Sequence, residues 1–371
     1  MEFVCSTCGK RESVTARKPK CDCGGLWKLD FTPPRFDLDL VDRGEWSMFR
    51  YRPFMGLYGD AWRDISLGEG MTPVVRLDEN VLLKMDYMMP TLSFKDRGGA
   101  VVVAHAKAIG VDKVVQDSSG NAGNAVAAYC ARAGIGCEIF VPEGTSPKKR
   151  DMIRAHGAEC TVVPGSRDHC ADVCRAKVDD EGAYYANHVY NPFFYEGTKT
   201  YIYEVYEQLH RIPANLVIPV GNGTLFLGAM KALEELQASG CIDAFPQVIA
   251  LQTETCDPLL QAMAQGLDHP AAITPRPTIA EGIAIGQPMR GVEILAYARK
   301  HGVHFVHAPE DKILEARAYL AKQGVYIEHT TAANYAAYLR YCELYGPTPD
   351  TLITMCGAGL KSDHSGHAAA G

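Results

Sequence analysis

The residues most suggestive of chemistry lie in the segment MMPTLSFKDRGG, residues 88–99, which holds a single lysine, Lys95. A Pro-Thr-x-Ser-Phe turn precedes this lysine, and an Asp-Arg-Gly-Gly run leads from it into an Ala/Val-rich stretch that predicts a helix. A lysine amine in water has a pKa of about 10.4 and is protonated. An amine held away from water can form a Schiff base with an aldehyde and can carry a proton. The alternative is an ordinary surface lysine in a loop.

Two further segments have the composition of anion-binding loops. DSSGN, Asp117–Asn121, follows a predicted strand and opens a predicted helix, so its backbone N–H groups and two hydroxyls can bind a small carboxylate. GNGTLFLG, Gly221–Gly228, is placed in the same way, and its glycines let the backbone approach a phosphate closely. Either loop alone is equally consistent with an ordinary turn. Together with Lys95, the loops predict two ligands: a phosphorylated aldehyde bound to the lysine, and an amino acid.

The N-terminus carries four cysteines with the spacing Cys5-x2-Cys8-x12-Cys21-x-Cys23. This paired spacing is typical of a zinc site with four thiolate ligands, although the second pair is C-x-C rather than the commoner C-x2-C. A segment too small to build its own core would need such a metal to fold. The site would be structural, because four thiolates leave no open position for a substrate. The alternative is four free thiols in an ordinary loop.

The overall composition is that of a globular protein. The chain has 371 residues, of which 47% are hydrophobic and 22% charged, enough for a two-lobed unit or two domains. Its net charge of −7 disfavours nucleic acid or an anionic membrane as the main partner. No apolar run approaches about 18 residues, and the first residues lack the apolar core of a signal peptide. Most of the thirteen cysteines lie singly in apolar segments, which favours reduced thiols and a cytoplasmic location.

The elements that must position these residues alternate between strand and helix from about residue 70. Short β-rich runs such as DKVVQDSS, GCEIFVP and ANLVIPVGNGT each precede an Ala-rich amphipathic stretch. This alternation predicts an α/β fold with parallel sheets. Ligands of such sheets bind beyond the carboxyl ends of the strands, where both candidate loops are expected.

The order and wording of these segments resemble the fold type II pyridoxal-phosphate enzymes, the tryptophan synthase β superfamily, and most closely the threonine synthase family. The N-terminal cysteine segment also resembles a zinc ribbon found ahead of this catalytic unit. The matching segments are SLGEGMTPVVRL (66–77), PTLSFKDRG (90–98), DSSGN (117–121), NPFFYEGTKT (191–200), PVGNGT (219–224) and MCGAGLK (355–361). The resemblance implies a two-lobed fold with pyridoxal 5'-phosphate as cofactor.

The resemblance also implies roles for individual residues. Lys95 would bind the cofactor and move a proton at the substrate Cα, with Phe94 packed nearby and Asp96 and Arg97 bracing the loop. Asn121 would hydrogen-bond the phenolic oxygen of the cofactor. The two loops would bind the anionic groups: Gly221, Asn222, Gly223 and Thr224 the cofactor phosphate, and Ser118, Ser119, Gly120 and Asn121 the substrate carboxylate.

Cys356 stands in the closing motif, where it would face the pyridine nitrogen of the cofactor. Threonine synthases usually have Thr at this position, whereas serine-dehydratase-like relatives have Cys. A thiol is a weak neutral donor and would not keep the ring nitrogen protonated, which suits elimination and replacement chemistry. The alternative is a small buried hydrophobic residue.

The sequence departs from the family at two positions linked to a substrate phosphate. Ala122 stands where the family generally has Thr, and Phe194 where it often has Arg. Loss of the Arg removes a bidentate phosphate partner. Either another cation replaces it, with Arg97, Lys199 and His188 as candidates, or the substrate carries no phosphate.

Two later segments, TIAEGIAIGQP and IEHTTAAN, correspond to substrate-proximal and sheet-edge parts of relatives. Glu281, in the first of them, is predicted to be substrate-binding as a second acid or base. A structural carboxylate that accepts a backbone N–H is an equal alternative. The second segment suggests no role for a particular side chain.

Taken together, the sequence predicts a zinc-ribbon-like segment at residues 1–32 and a pyridoxal-phosphate catalytic unit at 33–371, whose smaller lobe spans about 100–187. The expected reaction is that of threonine synthase, from O-phosphohomoserine and water to threonine and phosphate. One alternative is a serine/threonine ammonia-lyase or a β-replacing synthase, and another is a non-catalytic zinc-ribbon binding protein. We expect a cytoplasmic homodimer whose partner is a small-molecule amino-acid substrate, with neither nucleic acid nor membrane as partner.

Overall fold

The computed structural model describes residues 1–361, and its first element is a small antiparallel sheet. This sheet has the order β2-β1-β3 and consists of β1 (Glu2–Cys5), β2 (Arg11–Ser13) and β3 (Trp27–Leu29). It packs on the rest of the chain through Phe3, whose ring lies 5.9 Å from that of Phe193. His105 donates from Nε2 to the Val14 carbonyl at 2.7 Å. The N-terminal segment is therefore part of the main apolar core.

The largest sheet has six strands in the order β12-β11-β10-β13-β5-β4. Its strands are β4 (Val74–Arg76), β5 (Val81–Lys84), β10 (Asn215–Pro219), β11 (Gln247–Thr253), β12 (His304–Ala308) and β13 (Thr351–Thr354). All neighbouring pairs are parallel except β4 with β5. The central strands are almost wholly apolar because helices cover both faces of a parallel sheet.

A second sheet is entirely parallel and has the order β8-β7-β6-β9. Its strands are β6 (Lys113–Gln116), β7 (Gly136–Pro142), β8 (Glu159–Val163) and β9 (Tyr184–Tyr185). The predicted α/β fold with parallel sheets is therefore confirmed. The division at residue 32 and the lobe boundaries stay predictions.

Helices connect the parallel strands. Within residues 1–361 the α-helices are α1 (Trp62–Ile65), α2 (Lys95–Ala108), α3 (Asn121–Ala133), α4 (Pro147–Ala155), α5 (Arg167–Glu181), α6 (Phe193–Thr198), α7 (Thr200–Leu209), α8 (Thr224–Ala238), α9 (Pro258–Gln265), α10 (Gly291–Lys300), α11 (Ile313–Lys322) and α12 (His329–Tyr345). Local sequence explains several ends: Ser166 accepts a hydrogen bond from the His169 N–H and caps α5, and Gly134 ends α3 in the left-handed conformation. None of the helices in this range is long and apolar enough to cross a membrane.

A fully buried ion cluster fixes the start of α2. The Arg97 guanidinium donates to Asp86 at 2.8 Å and to Glu204 at 2.6 Å, and Lys84 donates to Glu204 at 2.8 Å. Burial opposes the charge of Glu204, but the charges of Arg97 and Lys84 outweigh it and lower its pKa. Two cations balance two carboxylates, which is the condition under which buried charges are tolerated. The cluster joins β5, α2 and α7.

We expect Arg97→Met to destabilise the fold by about 3–5 kcal/mol, because the change leaves two carboxylates buried with only Lys84 to compensate them. Unfolding in urea, followed by circular dichroism, measures this loss. Arg43→Met is the control, since Arg43 is exposed. A free energy of unfolding for Arg97→Met equal to that of the control would contradict a structural role for the cluster.

Candidate active site

Lys95 is the first residue of α2 and faces the loop that precedes α8. Its Nζ donates to Thr224 Oγ1 at 2.9 Å and lies 4.7 Å from the centroid of the Phe94 ring and 5.5 Å from that of Phe194. Burial among these groups lowers the pKa of Lys95 to about 7. A large fraction of the amine is therefore neutral near pH 7, as attack on an aldehyde requires.

The loop Gly221–Thr224 connects β10 to the fifteen-residue helix α8 and has the shape of an anion cradle. Gly223 has a φ of +74°, in the left-handed region, and a Cβ there would overlap the Ile294 side chain. A Cβ at Gly221 would lie 3.0 Å from the Ile283 Cα. The loop backbone therefore packs closely against its neighbours, and the free N–H groups at the start of α8 are donors of the kind that bind a phosphate.

The loop Ser118–Asn121 connects β6 to α3. The preceding Asp117 holds the loop, because its Oδ1 accepts from Tyr185 Oη at 2.7 Å and from Asn187 Nδ2 at 2.9 Å. Ser118 Oγ accepts from the Gly120 N–H at 3.3 Å. The N-terminus of α3 offers N–H groups to a small carboxylate at this loop.

Cys356 closes the site directly after β13. Its thiol is buried, and burial raises its pKa, so the group is neutral. Asn334 Nδ2 lies 3.6 Å from the sulfur, and the Cys356 carbonyl accepts from the Phe94 N–H at 2.9 Å. The backbone therefore places Cys356 beside the lysine-bearing turn, with a neutral side chain.

The structure brings three residues to the site to which the sequence assigned no role, Glu328, Thr331 and Asn334. Asn121 Nδ2 donates to both Glu328 oxygens at 3.2 Å, and Thr331 Oγ1 accepts from the Gly357 N–H at 2.9 Å. Glu328, Thr331 and Asn334 follow one another at intervals of three positions at the start of α12. Residues three positions apart lie on one face of a helix. This spacing within IEHTTAAN is the feature of the sequence that could have predicted that these side chains point the same way.

Glu281 lies near the phosphate loop, but its carboxylate points to the surface. Its side chain is 76% exposed and forms an ion pair with Lys149 at 3.1 Å. The parts of this segment that border Gly221 are the Ile283 Cα, the Gly282 carbonyl and the Ile285 side chain. A role for Glu281 towards a substrate stays a prediction.

Two of the cations considered for a substrate phosphate are engaged elsewhere. Arg97 belongs to the buried cluster with Asp86 and Glu204. Lys199 is also fully buried and forms ion pairs with Glu196 at 2.9 Å and Glu235 at 3.1 Å. The charges of both residues are compensated by these carboxylates, so neither is available to replace the missing Arg. Of the three candidate residues, His188 is the one that these ion pairs do not involve.

The four N-terminal cysteines converge at one end of the antiparallel sheet. Their sulfur atoms all lie within 4.8 Å of one another, with 3.4 Å between Cys5 and Cys23 and 3.7 Å between Cys8 and Cys21. A tetrahedral zinc site with zinc–sulfur bonds of about 2.3 Å has sulfur atoms about 3.8 Å apart. The distances between the sulfur atoms are therefore compatible with a zinc ion bound tetrahedrally by the four cysteines.

This combination of fold and site defines a class of protein. The chain belongs to a family of pyridoxal-phosphate-dependent enzymes: the family model described as "Pyridoxal-phosphate dependent enzyme" matches residues 65–357. The predicted fold type II class and the predicted enzymatic character are thereby confirmed.

Individual relatives narrow the resemblance. Threonine synthase of Methanocaldococcus jannaschii is 29% identical over 354 residues, covering 91% of this chain and 87% of that protein. Threonine synthase of Mycobacterium leprae is 32% identical over 316 residues, covering 82% and 85%. Among solved structures, the processed form of threonine deaminase isoform 2 from Solanum lycopersicum has a TM-score of 0.68 at 21% identity, covering 92% of this chain and 90% of that one. The predicted likeness to the threonine synthase family is confirmed.

The lowered pKa of Lys95 gives a prediction for the cofactor-free protein. The rate at which pyridoxal phosphate attaches should follow the neutral amine, rising with pH and levelling off above about pH 7 rather than near 10.4. Stopped-flow visible absorbance measures this rate, with Lys95→Ala as the control that gives no attachment. A rate that still climbs tenfold per pH unit at about pH 9 would contradict a buried amine.

Proposed function

We propose that the chain catalyses the threonine synthase reaction, in which O-phosphohomoserine and water give threonine and phosphate. The observation that carries the proposal is the contact between Lys95 and Thr224, which puts a partly neutral amine at the edge of a phosphate cradle. Asn121 of the proposed carboxylate loop donates to Glu328, and the Glu328 N–H donates to the Gly357 carbonyl, next to Cys356. The proposal takes this loop and Lys95 as parts of one site for a phosphorylated aldehyde and an amino acid. The similarity to threonine synthases over most of the chain supports the choice of reaction.

Each residue group has a part in this proposal. Pyridoxal phosphate, when bound, supplies an electron sink for negative charge at the substrate Cα. The loop Gly221–Thr224 would hold its phosphate, and Asn334 Oδ1 and Asn124 Oδ1 are buried acceptors without a partner among residues 1–361 that a polar ligand can satisfy. The loop Ser118–Asn121 would hold the substrate carboxylate, and the Lys95 amine would take the Cα proton.

The neutral Cys356 thiol supports elimination and replacement over reactions that need a charged partner at the ring nitrogen. In the proposed reaction, the Lys95 amine removes protons at Cα and then at Cβ, and phosphate leaves from Cγ. A proton is then delivered to Cγ, which becomes the methyl group, water adds its hydroxyl at Cβ, and a proton returns to Cα to give threonine. Buried, apolar walls around the lysine strengthen these proton transfers by keeping other water away.

A second candidate is elimination or β-replacement on an unphosphorylated amino acid. Ala122 and Phe194 favour it, because both are buried and neither can donate a hydrogen bond to a phosphate. The two candidates share Lys95 and both loops and differ only where the leaving group lies. The cytoplasmic location and the homodimer stay predictions.

Activity of the purified holoenzyme separates these candidates. We expect threonine and phosphate from O-phosphohomoserine, whereas the second candidate gives ammonia or a replaced product from serine or threonine. Lys95→Ala should lower the rate by several orders of magnitude, because it removes both the attachment point and the proton carrier. Borohydride reduction should label Lys95, and a label on another lysine would contradict the assignment. No turnover of O-phosphohomoserine and none of serine or threonine would refute both candidates.

We also propose that Cys5, Cys8, Cys21 and Cys23 bind one structural zinc ion. We expect metal analysis to find about one zinc per chain, lost in Cys5→Ser and Cys21→Ser but kept in Cys160→Ser, which changes a cysteine outside the cluster. Loss of zinc should lower the unfolding temperature and leave the reaction type unchanged. Metal-free protein with the same unfolding temperature and freely titrating thiols would refute the zinc site.

A further inference from the structure

Arg290 is a buried arginine that the proposed mechanism does not use. It directly precedes α10 and is 4% exposed. Its Nε donates to the Val189 carbonyl at 2.7 Å. Its Nη2 donates to the carbonyls of Trp27 at 3.0 Å and Tyr190 at 3.1 Å. The planar donors of one guanidinium therefore hold two separate parts of the backbone, strand β3 and the segment 189–190, at fixed positions.

The segment 189–190 leads to the proposed carboxylate loop. Its two N–H groups donate to Asn187 Oδ1, at 2.8 Å and 3.3 Å. Asn187 Nδ2 in turn donates at 2.9 Å to Oδ1 of Asp117, directly before the loop Ser118–Asn121. Arg290 thus binds the carbonyl groups of this segment, while Asn187 binds its N–H groups. A displacement of the segment would therefore move the residue that holds that loop.

The helix α10 links Arg290 to the proposed phosphate loop. The Ile294 N–H donates to the Arg290 carbonyl at 3.0 Å, and the Arg290 guanidinium forms an ion pair with Glu293 at 3.3 Å. The Ile294 side chain packs directly against Gly223, since a Cβ at Gly223 would lie 2.4 Å from Ile294 Cδ1. The position of Arg290 therefore determines how α10 supports the loop Gly221–Thr224.

The Trp27 carbonyl connects Arg290 to the four-cysteine cluster. Trp27 is 2% exposed and pairs with Cys5 across strands β3 and β1. A Cβ at Gly25 would lie 2.6 Å from Cys5 Sγ, so the chain that leads into β3 packs closely against this thiol. An ordered cluster therefore holds the Trp27 carbonyl in place.

We propose that Arg290 is a positioning residue that couples the four-cysteine cluster to both anion loops of the site. When the cluster loses a bound zinc ion, β3 loses its fixed position and Nη2 loses the Trp27 carbonyl. The segment 189–190 and α10 then shift, and the two loops bind their ligands less tightly. The proposal rests on the proposed function, because it takes Gly221–Thr224 as the phosphate loop and Ser118–Asn121 as the carboxylate loop. It gives the N-terminal sheet a part in cofactor binding beyond its own folding.

A cycle of two substitutions tests the coupling. The dissociation constant of pyridoxal 5'-phosphate is measured by visible absorbance for the wild type, Arg290→Met, Cys5→Ser and the double variant. Arg290→Lys is the conservative variant, and Arg299→Met is the matched control, because Arg299 is exposed on the same helix α10. Hydrogen exchange of the amides in both loops is followed in the holoenzyme, and the unfolding temperature of each variant is recorded.

We expect Arg290→Met and Cys5→Ser each to raise the dissociation constant by about 5- to 100-fold, the usual range of coupling between two sites. In the double variant, the second substitution should add less than about threefold, because the connection is already broken. Arg290→Lys should recover part of the loss, since a lysine reaches a carbonyl but lacks the planar fork. Hydrogen exchange should become faster at both loops in both single variants and stay unchanged in Arg299→Met. Should Arg290→Met fail to fold, the same cycle is run with Arg290→Lys.

Thermodynamic linkage gives a second measurement, on the wild type alone. Because zinc tightens cofactor binding in this proposal, the cofactor must tighten zinc binding by the same factor. Competition with a chromophoric chelator measures the zinc affinity with and without pyridoxal 5'-phosphate. Equal zinc affinities in the two states would refute the coupling.

Other outcomes also overturn the proposal. Additive effects in the double variant, a dissociation constant in either single variant equal to that of Arg299→Met, or unchanged exchange at either loop would each refute it. These outcomes leave the proposed function standing, because they concern only the coupling. A wild type that binds no pyridoxal 5'-phosphate would reject the proposed function and this inference together. Coupled binding without turnover of O-phosphohomoserine, serine or threonine would support the inference and reject the proposed reaction.

Discussion

The buried pairing of Arg97 with Asp86 and Glu204 is the interaction on which the rest of the site depends. A guanidinium removed from water is tolerated only with full hydrogen bonding and charge compensation, and both carboxylates are supplied by separate elements. The planar donor geometry of Arg then fixes direction as well as distance. As a result, α2 cannot shift relative to β5 and α7 without exposing or unpairing a buried charge.

This constraint explains how Lys95 comes to face Thr224 and the loop before α8. The next residue, Asp96, accepts hydrogen bonds from the Thr91 N–H at 3.1 Å and from Tyr129 Oη at 2.9 Å. The hydrogen bonds of Asp96 and the ion pairs of Arg97 thus hold the first turn of α2. Lys95 itself forms no ion pair among the described residues. The pKa of Lys95 is lowered because its amine is buried without a carboxylate ion-pair partner. The contacts of Asp96 and Arg97 that order the helix therefore also keep Lys95 where its amine is partly neutral and able to attack.

The surroundings of the Lys95 amine differ from those of Arg97, because they are uncharged. Around the lysine, Phe94, Phe194 and the neutral Cys356 form walls that carry no net charge. Walls of this kind favour the neutral form of the Lys95 amine, which can then accept a proton.

The sequence by itself determined the parallel α/β fold, the lysine, both anion loops and the cysteine cluster. Each of these is encoded locally, by strand–loop–helix order, by glycines at required backbone positions or by close spacing. Tertiary structure alone decided which other side chains join the site. Asn121 and Glu328 meet although 207 positions separate them, and Arg97 and Lys199 are engaged by carboxylates from distant helices. Such contacts depend on how helices pack across the sheet, and no local pattern of residues records that packing.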